Sequence, residues 1–261
     1  MSFFRIVILF IGFIPSFVMS APVPIDSSAF GGDDSASPFG IGMTVSSAQR
    51  PFVGVDDQVT SLPYFSYSKG SFYVEGIDVG FKAFGSKDYN LNFLITPRYY
   101  EVQPSFASNG ELDGVDKTNQ TFFAGLSYQY RTSLFNYHVQ LIADVAESDG
   151  SEFNLSASKY FHVTTKLGIT TSFGISYQDD KLVDHFYGVQ ANEVIAVTRP
   201  QYNGSSSLNK SFIMTAVYHV NTHFQLLGQM KAEFWDTGIT DSPVVDENTT
   251  ISYTMGGVYR F

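Results

Sequence analysis

The C-terminal stretch 249–261, TTISYTMGGVYRF, decides the fold, because two kinds of side chain alternate along it. From Ile251 onward the odd-numbered residues are mostly apolar or aromatic, and the even-numbered residues are mostly Ser, Thr and Gly. Successive side chains of a β-strand point to opposite faces. The period of two therefore predicts a strand whose two faces lie in different environments.

The same alternation recurs along most of the chain. It is clearest in 120–132, 136–147, 151–162, 165–178, 208–220 and 222–235, and weaker in 39–47, 62–68, 71–84 and 89–102. With 249–261 these segments make eleven candidate strands, whereas a bacterial single-chain barrel has an even number. We expect the error to lie in 39–71 and predict twelve strands, with ten as the alternative.

The chemistry of the two rows indicates which face meets which solvent. The polar rows are mostly Ser, Thr, Gly, Asn and Gln, and they also carry the charges Asp78, Lys82, Arg98, Arg131, Asp144, Lys166, Lys231 and Glu233. A water-facing exterior would carry far more Lys and Glu. We therefore predict a closed antiparallel transmembrane β-barrel with polar rows facing the lumen and apolar rows facing lipid.

A few residues break this pattern. Phe123, Ile142, Ile213 and Leu227 stand on polar rows, and Lys159 and Lys210 stand on apolar rows near strand ends.

The connections between candidate strands also fit an outer-membrane barrel. Tight turns at 132–135, 162–165 and 220–222 alternate with longer connections at 103–119, 179–207 and 236–248, and 148–150 is a short exception on the long side. Short periplasmic turns and longer extracellular loops are the usual arrangement.

The segment 179–207 is long for a barrel connection and has a high apolar content. Long loops in compact proteins are usually functional or disordered. We expect it to form a short helix that caps or constricts the outward-facing mouth of the barrel.

Composition excludes several classes of protein. Mean hydropathy is −0.01, which excludes a bundle of membrane helices, each of which needs about 20 consecutive apolar residues. Aromatic residues make up 16%, which is too many for a disordered chain. A net charge of −10 argues against binding nucleic acid. The absence of cysteine excludes disulfides, cysteine-ligated metals and a lipoprotein anchor.

The N-terminus predicts export. Residues 1–20 combine Arg5 with an apolar run from Ile6 to Val18, which is typical of a cleaved signal peptide. Residues 21–38 are rich in Pro, Gly, Ser and Asp and are predicted to be a flexible leader. The barrel then occupies 39–261.

The C-terminus carries a candidate assembly signal. It consists of the alternating apolar and aromatic residues Tyr253, Met255, Tyr259 and the terminal Phe261. An apolar last strand can be bound by the barrel-assembly machinery through strand addition. We therefore expect the outer membrane as the location, with its lipid and lipopolysaccharide as surroundings.

Five short motifs resemble those of a known family. They are LPY at 62–64, GSFYV at 70–74, FYGV at 186–189, DSPVV at 241–245 and the ending GGVYRF at 256–261. In this order they are similar to the MltA-interacting protein/OmpV family of Gram-negative outer-membrane proteins. The resemblance implies a barrel without agreed catalytic residues. Some members look like scaffolds that link a lytic murein transglycosylase to a bifunctional penicillin-binding protein.

The sequence is compatible with three functions. The first is a non-enzymatic scaffold that contacts periplasmic murein enzymes near the short turns. The second is a small porin or a surface adhesin. The third, an outer-membrane hydrolase or acyltransferase, is disfavoured because no catalytic constellation stands out. We expect no cofactor.

The histidines and the acidic pairs give no strong indication of a metal site. His219 and His223 straddle a predicted turn, so helical metal-ligand spacing does not apply to them. The pairs at 33–34, 56–57 and 179–180 are most simply solvated loop charges, with a weak divalent-cation role as the alternative.

Overall fold

The computed structural model describes residues 39–98 and 102–261. The predicted signal peptide 1–20 and leader 21–38 lie outside these described residues and stay predictions.

The described chain forms a closed antiparallel barrel of twelve strands, which confirms the predicted fold and strand number. Each strand pairs with its sequence neighbours, and the first strand closes the barrel against the last. The strands are β1 (Phe39–Ala48), β2 (Gln58–Lys69), β3 (Phe72–Glu75), β4 (Asp78–Gly85), β5 (Tyr89–Arg98), β6 (Thr121–Arg131), β7 (Asn136–Asp144), β8 (Ser151–His162), β9 (Leu167–Gln178), β10 (Ser207–His219), β11 (Phe224–Phe234) and β12 (Thr249–Arg260).

Pairing of β1 with β12 seals the wall. Its register runs from Gly40 opposite Arg260 to Ala48 opposite Ser252. A closed sheet leaves no edge with unpaired backbone groups, which is the condition for crossing hydrocarbon.

The missing strand of the sequence analysis lies in 71–84, so the expectation that it lay in 39–71 was wrong. This segment is a short hairpin, in which β3 reverses into β4 through Gly76 and Ile77. Gly76 has a φ of 60°, which a residue without a Cβ adopts at little cost. The reversal appears in the sequence only as a change of phase, because the outward apolar residues are even-numbered before it, as in Phe72, and odd-numbered after it, as in Val79 and Phe81.

The outer face of the barrel is apolar, as predicted. Met43, Leu141, Phe173 and Met255 are all more than half exposed there, whereas Thr44 and Thr254 of the opposite rows are buried. In a water-soluble barrel the apolar rows would point inward. The observed exposure therefore fits a lipid-facing belt.

The two ends of the barrel differ in structure. One end has short turns and carries both β1's first residue and Phe261, and we call it the short-turn end. The other, the long-loop end, carries the 3-10 helix Pro104–Phe106, helix α1 (Asp180–Tyr187) and helix α2 (Thr237–Thr240). Within the described ranges no helix has the length and apolar character needed to span a bilayer.

A folded cap covers the mouth at the long-loop end. Its apolar core contains the loop residues Phe52, Val102, Leu112, Val115, Leu182, Val183, Phe186, Tyr187, Val189, Ile239, Val244 and Val245. This core packs on Leu94, Phe123 and Ile142, which project inward from the barrel wall. Phe123 and Ile142 break the polar rows because they form the floor of the cap.

Candidate functional site

Helix α1 is the centre of the cap and confirms the helix expected within 179–207. Asp179 begins it, because one carboxylate oxygen accepts a hydrogen bond from the Leu182 N–H at 2.9 Å. The other oxygen accepts hydrogen bonds from the N–H and hydroxyl of Ser151 at 2.8 and 2.6 Å. Asp179 therefore fixes the helix to the top of β8 and is not a freely solvated charge.

The buried face of α1 packs on two other loops. The Tyr187 ring stacks on Phe52 with 5.4 Å between centroids, and its backbone carbonyl accepts a hydrogen bond from the Ser242 hydroxyl at 2.5 Å. Burial raises the pKa of the Tyr187 phenol, and the charge of Glu233 adds to this effect. Tyr187 therefore stays neutral as a packing element of the cap.

Arg199 ties two loops of the cap together. It is 4% exposed, and its guanidinium donates to the backbone carbonyls of Glu193 at 2.9 Å, Glu111 at 3.2 Å and Asp113 at 2.6 Å. The Glu193 carboxylate in turn accepts from the N–H groups of Asp116 at 2.5 Å and Gln190 at 2.6 Å. Neither residue stands out in the sequence as structural, because the partners Glu111, Asp113 and Asp116 lie far away in the chain.

The predicted inner-row charges fall into two groups by height along the barrel. Toward the long-loop end, Lys231 and Glu233 form an ion pair with 2.7 Å between Nζ and Oε1. Arg98 lies 3.7 Å from Glu152, a residue that the sequence analysis did not single out. Asp78 lies near Arg98.

Asp144 organises a loop at the long-loop end. Its carboxylate accepts hydrogen bonds from the Thr121 hydroxyl, from the Ala146 and Glu147 N–H groups, and from the Ser148 N–H and hydroxyl. These donors hold the short connection around 148–150 in place at the long-loop end.

The remaining predicted charges lie at the short-turn end. The Lys82 ammonium donates to the Ser68 hydroxyl at 2.8 Å, and Arg131 donates to the Gln129 side chain at 3.1 Å. Lys166 precedes the first residue of β9 and donates to the Val220 carbonyl at 3.4 Å, so it belongs to a turn. The structure therefore does not bring all eight predicted charges together.

The candidate assembly residues lie on the outer face of β12 and at Phe261, which follows it. Tyr253, Met255, Tyr259 and Phe261 are exposed by 54%, 73%, 43% and 60%. The Phe261 ring stacks on Phe39, with 5.3 Å between centroids, at the seam where the barrel closes. Recognition by the assembly machinery stays a prediction.

Lys159 interrupts the apolar outer row near the short-turn end. Its ammonium lies 5.6 Å from the centroids of both Phe135 and Phe161. These cation–π contacts offset part of the cost of placing a charge on the lipid-facing surface.

Histidine and acidic side chains form no group of three or more that could hold a metal ion within 39–98 and 102–261. His219 contacts Gln225 at 3.1 Å, and His223 contacts Thr222 at 3.0 Å.

A polar cavity of about 450 Å³ lies within the cap, with Val115, Glu147, His185 and Gln190 among its lining.

Comparison with known proteins identifies the family. A family model described as MltA-interacting protein MipA matches residues 41–261. The YiaT protein of Escherichia coli O157:H7 is 25% identical over 227 residues, covering 87% of this chain and 92% of that protein. The MltA-interacting protein of Escherichia coli K12 is 22% identical over 225 residues, covering 85% and 90%.

Among solved structures, the NanC porin is similar with a TM-score of 0.46 and 9% identity. The similarity covers 84% of this chain and 100% of the porin chain. The family match extends over nearly the whole described barrel. This outer-membrane β-barrel therefore belongs to the MltA-interacting protein MipA family.

Proposed function

We propose that this protein is a non-enzymatic barrel that holds a murein-cleaving enzyme at the periplasmic surface of the outer membrane. The observation that carries the proposal is the cap, whose apolar core fills the mouth at the long-loop end. Loops that pack on inward-facing residues of the wall narrow the path that a diffusing solute would take. The name of the Escherichia coli relative, MltA-interacting protein, supports a murein enzyme as the partner.

The short-turn end is the face that this function would use. By the usual orientation of outer-membrane barrels, the short turns face the periplasm, where murein enzymes act. We expect the partner to contact the turns near 133–136, 163–164 and 220–222. The cap would then face outward and take no part in binding the enzyme.

A binding measurement tests this proposal. The purified barrel in nanodiscs is titrated with the lytic murein transglycosylase of the same bacterium, beside a variant that lacks residues 183–203. We expect both barrels to bind the enzyme equally. Absence of binding to the intact barrel, or its loss in a deletion variant that still folds, would refute the proposal.

A porin is the second candidate, and the polar inner row is the observation that favours it. Thr44, Asn92, Ser127, Thr170, Thr215 and Gln229 are buried polar residues on this row. Planar-bilayer recordings separate the two functions. A stable open conductance of the intact protein would favour the porin, and a closed barrel would favour the scaffold.

A further inference from the structure

Charge is distributed very unevenly between the two ends of the barrel. At the short-turn end, basic residues stand on or beside four turns and on the inner face of β4. We call this set the basic rim: Lys69, Lys82, Lys87, Arg131 and Lys166. Among the described turns at that end, the acidic residue is Asp88. On the inner rows nearby, Glu75 of β3 and Arg260 of β12 lie in the same register across β1 and β2, and together they add no net charge.

The long-loop end has the opposite sign. Its described loops contain Arg50, Lys117, Lys181 and Arg199 as Lys or Arg residues. Their acidic residues are Asp56, Asp57, Glu111, Asp113, Asp116, Glu147, Asp149, Asp179, Asp180, Asp184, Glu193, Asp236, Asp241, Asp246 and Glu247. The net charge of −10 is therefore the sum of a basic end and a strongly acidic end of the barrel.

The basic rim has no carboxylate partner in the part of the chain that the structure describes. The ion pairs found there, Arg98 with Glu152 and Lys231 with Glu233, lie elsewhere in the barrel. Lys82 and Lys166 instead donate to neutral oxygens, those of Ser68 and Val220. Charges left without counter-ions within the protein can attract an external anion.

Membrane lipid is a poor counter-ion for part of this rim. Lys82 and Arg131 belong to inner rows, so the barrel wall stands between their side chains and the surrounding headgroups. Lys82, Lys87 and Lys166 are exposed. A partner that reaches these charges must therefore cover the mouth of the barrel at the short-turn end.

The turns also limit the kind of partner. Because they are only a few residues long, they project little from the membrane surface. A partner has to approach that surface closely, which a compact protein can do and a separate murein layer does less readily. A typical stable interface buries about 800 Å² on each partner, enough to cover a barrel mouth.

We propose that the basic rim is the docking surface for an acidic face of a periplasmic protein. This inference rests on the proposed function in taking the murein-cleaving enzyme as the protein that docks, and it adds the chemistry of the contact. Opposite charges accelerate association more than they slow dissociation. Salt weakens such attraction, because the Debye length falls from about 10 Å at 0.1 M to about 3 Å at 1 M.

The first experiment measures the rim itself. Nanodiscs of phosphatidylcholine that contain the full-length barrel are titrated with a fluorescent oligoglutamate peptide. The test variant is Lys87→Glu with Lys166→Glu, and the control is Lys117→Glu with Lys181→Glu, which changes net charge equally at the other end. All four lysines are exposed, and heat-modifiable migration verifies that each variant folds.

We expect the intact barrel to bind the peptide and the rim variant to bind about tenfold more weakly, with the control unchanged. No binding by the intact barrel, or equal loss in both variants, would overturn the inference.

The second experiment uses the murein transglycosylase and separates this inference from the proposed function. We expect the rim variant to lower the association rate about tenfold at low salt and to change the dissociation rate less. If the enzyme binds with an association rate that changes neither with salt nor in the rim variant, the acidic-face contact is overturned and the scaffold proposal is left intact. Peptide binding without enzyme binding would support the rim and overturn the scaffold.

Discussion

Arg98 of β5 and Glu152 of β8 meet inside the barrel, with 3.7 Å between Nη2 and Oε1, although their strands are not neighbours in the wall. The pair therefore crosses the interior below the cap. Both side chains are at least nine-tenths buried, and the Arg98 guanidinium also lies 5.9 Å from the centre of the Phe123 ring. This arrangement links the polar interior to the apolar floor of the cap.

Removing one partner of this pair should destabilise the barrel. Glu152→Gln leaves the Arg98 charge buried without its carboxylate, which costs about 3–5 kcal/mol at a fully buried site. We expect the lower part of that range, because the Arg98 side chain is 10% exposed and so not fully buried. Unfolding by guanidinium, followed through the fluorescence of Trp235, the single tryptophan, measures the change.

The double variant Arg98→Met with Glu152→Met is the control for that measurement. It removes both charges, so we expect a smaller loss of stability than with Glu152→Gln alone. A larger loss in the double variant would show that packing, and not charge, dominates at this position.

A charge on the outer row should cost more than the same charge on the inner row. Leu141 is 56% exposed on the lipid face, and Leu141→Arg should destabilise the barrel by about 2–4 kcal/mol. Gln140→Arg, one residue away on the inner row, should be tolerated better. Folding into vesicles across a denaturant series measures both, and equal losses would contradict the lipid-facing assignment.

Loss of Arg199 should loosen the cap and spare the barrel. Arg199→Ala leaves the carbonyls of Glu193, Glu111 and Asp113 without their donor, at about 1–3 kcal/mol for each group that stays buried. We expect faster proteolysis within 102–120 and 188–206, with unchanged heat-modifiable migration. Lys117→Ala, at an exposed site, is the control, and equal proteolysis of both variants would argue against the role of Arg199.

Deleting residues 183–203 should open the mouth at the long-loop end. The deletion removes Val183, Phe186, Tyr187 and Val189 from the cap core. We expect a higher single-channel conductance in planar bilayers than with the intact barrel, which should stay closed. Identical closed behaviour of both proteins would mean that side chains deeper in the lumen form the barrier.

Deleting Phe261 should impair assembly into the outer membrane. The deletion removes the ring that stacks on Phe39 at the closing seam and the exposed apolar end of β12. We expect slower assembly and protease-sensitive periplasmic material, measured by pulse-chase labelling and heat-modifiable migration. Normal assembly kinetics would contradict an assembly signal at this position.

The sequence alone determined the strands and the two faces of the wall. Alternation is a local property, because each side chain of a strand points opposite to its neighbour, and lipid tolerates few charges. The same locality explains the error in 71–84. The reversal through Gly76 and Ile77 is so short that it shows only as a shift of the apolar residues from even to odd positions.

The tertiary structure decided the cap and the pairing of charges. Glu193 binds the backbone of Asp116, and Arg98 meets Glu152 from a strand that is not its neighbour. These contacts join residues far apart in the chain, so no local pattern encodes them. In the sequence, Phe123 and Ile142 appear only as breaks in a polar row. In the structure they form the apolar surface on which the loops pack.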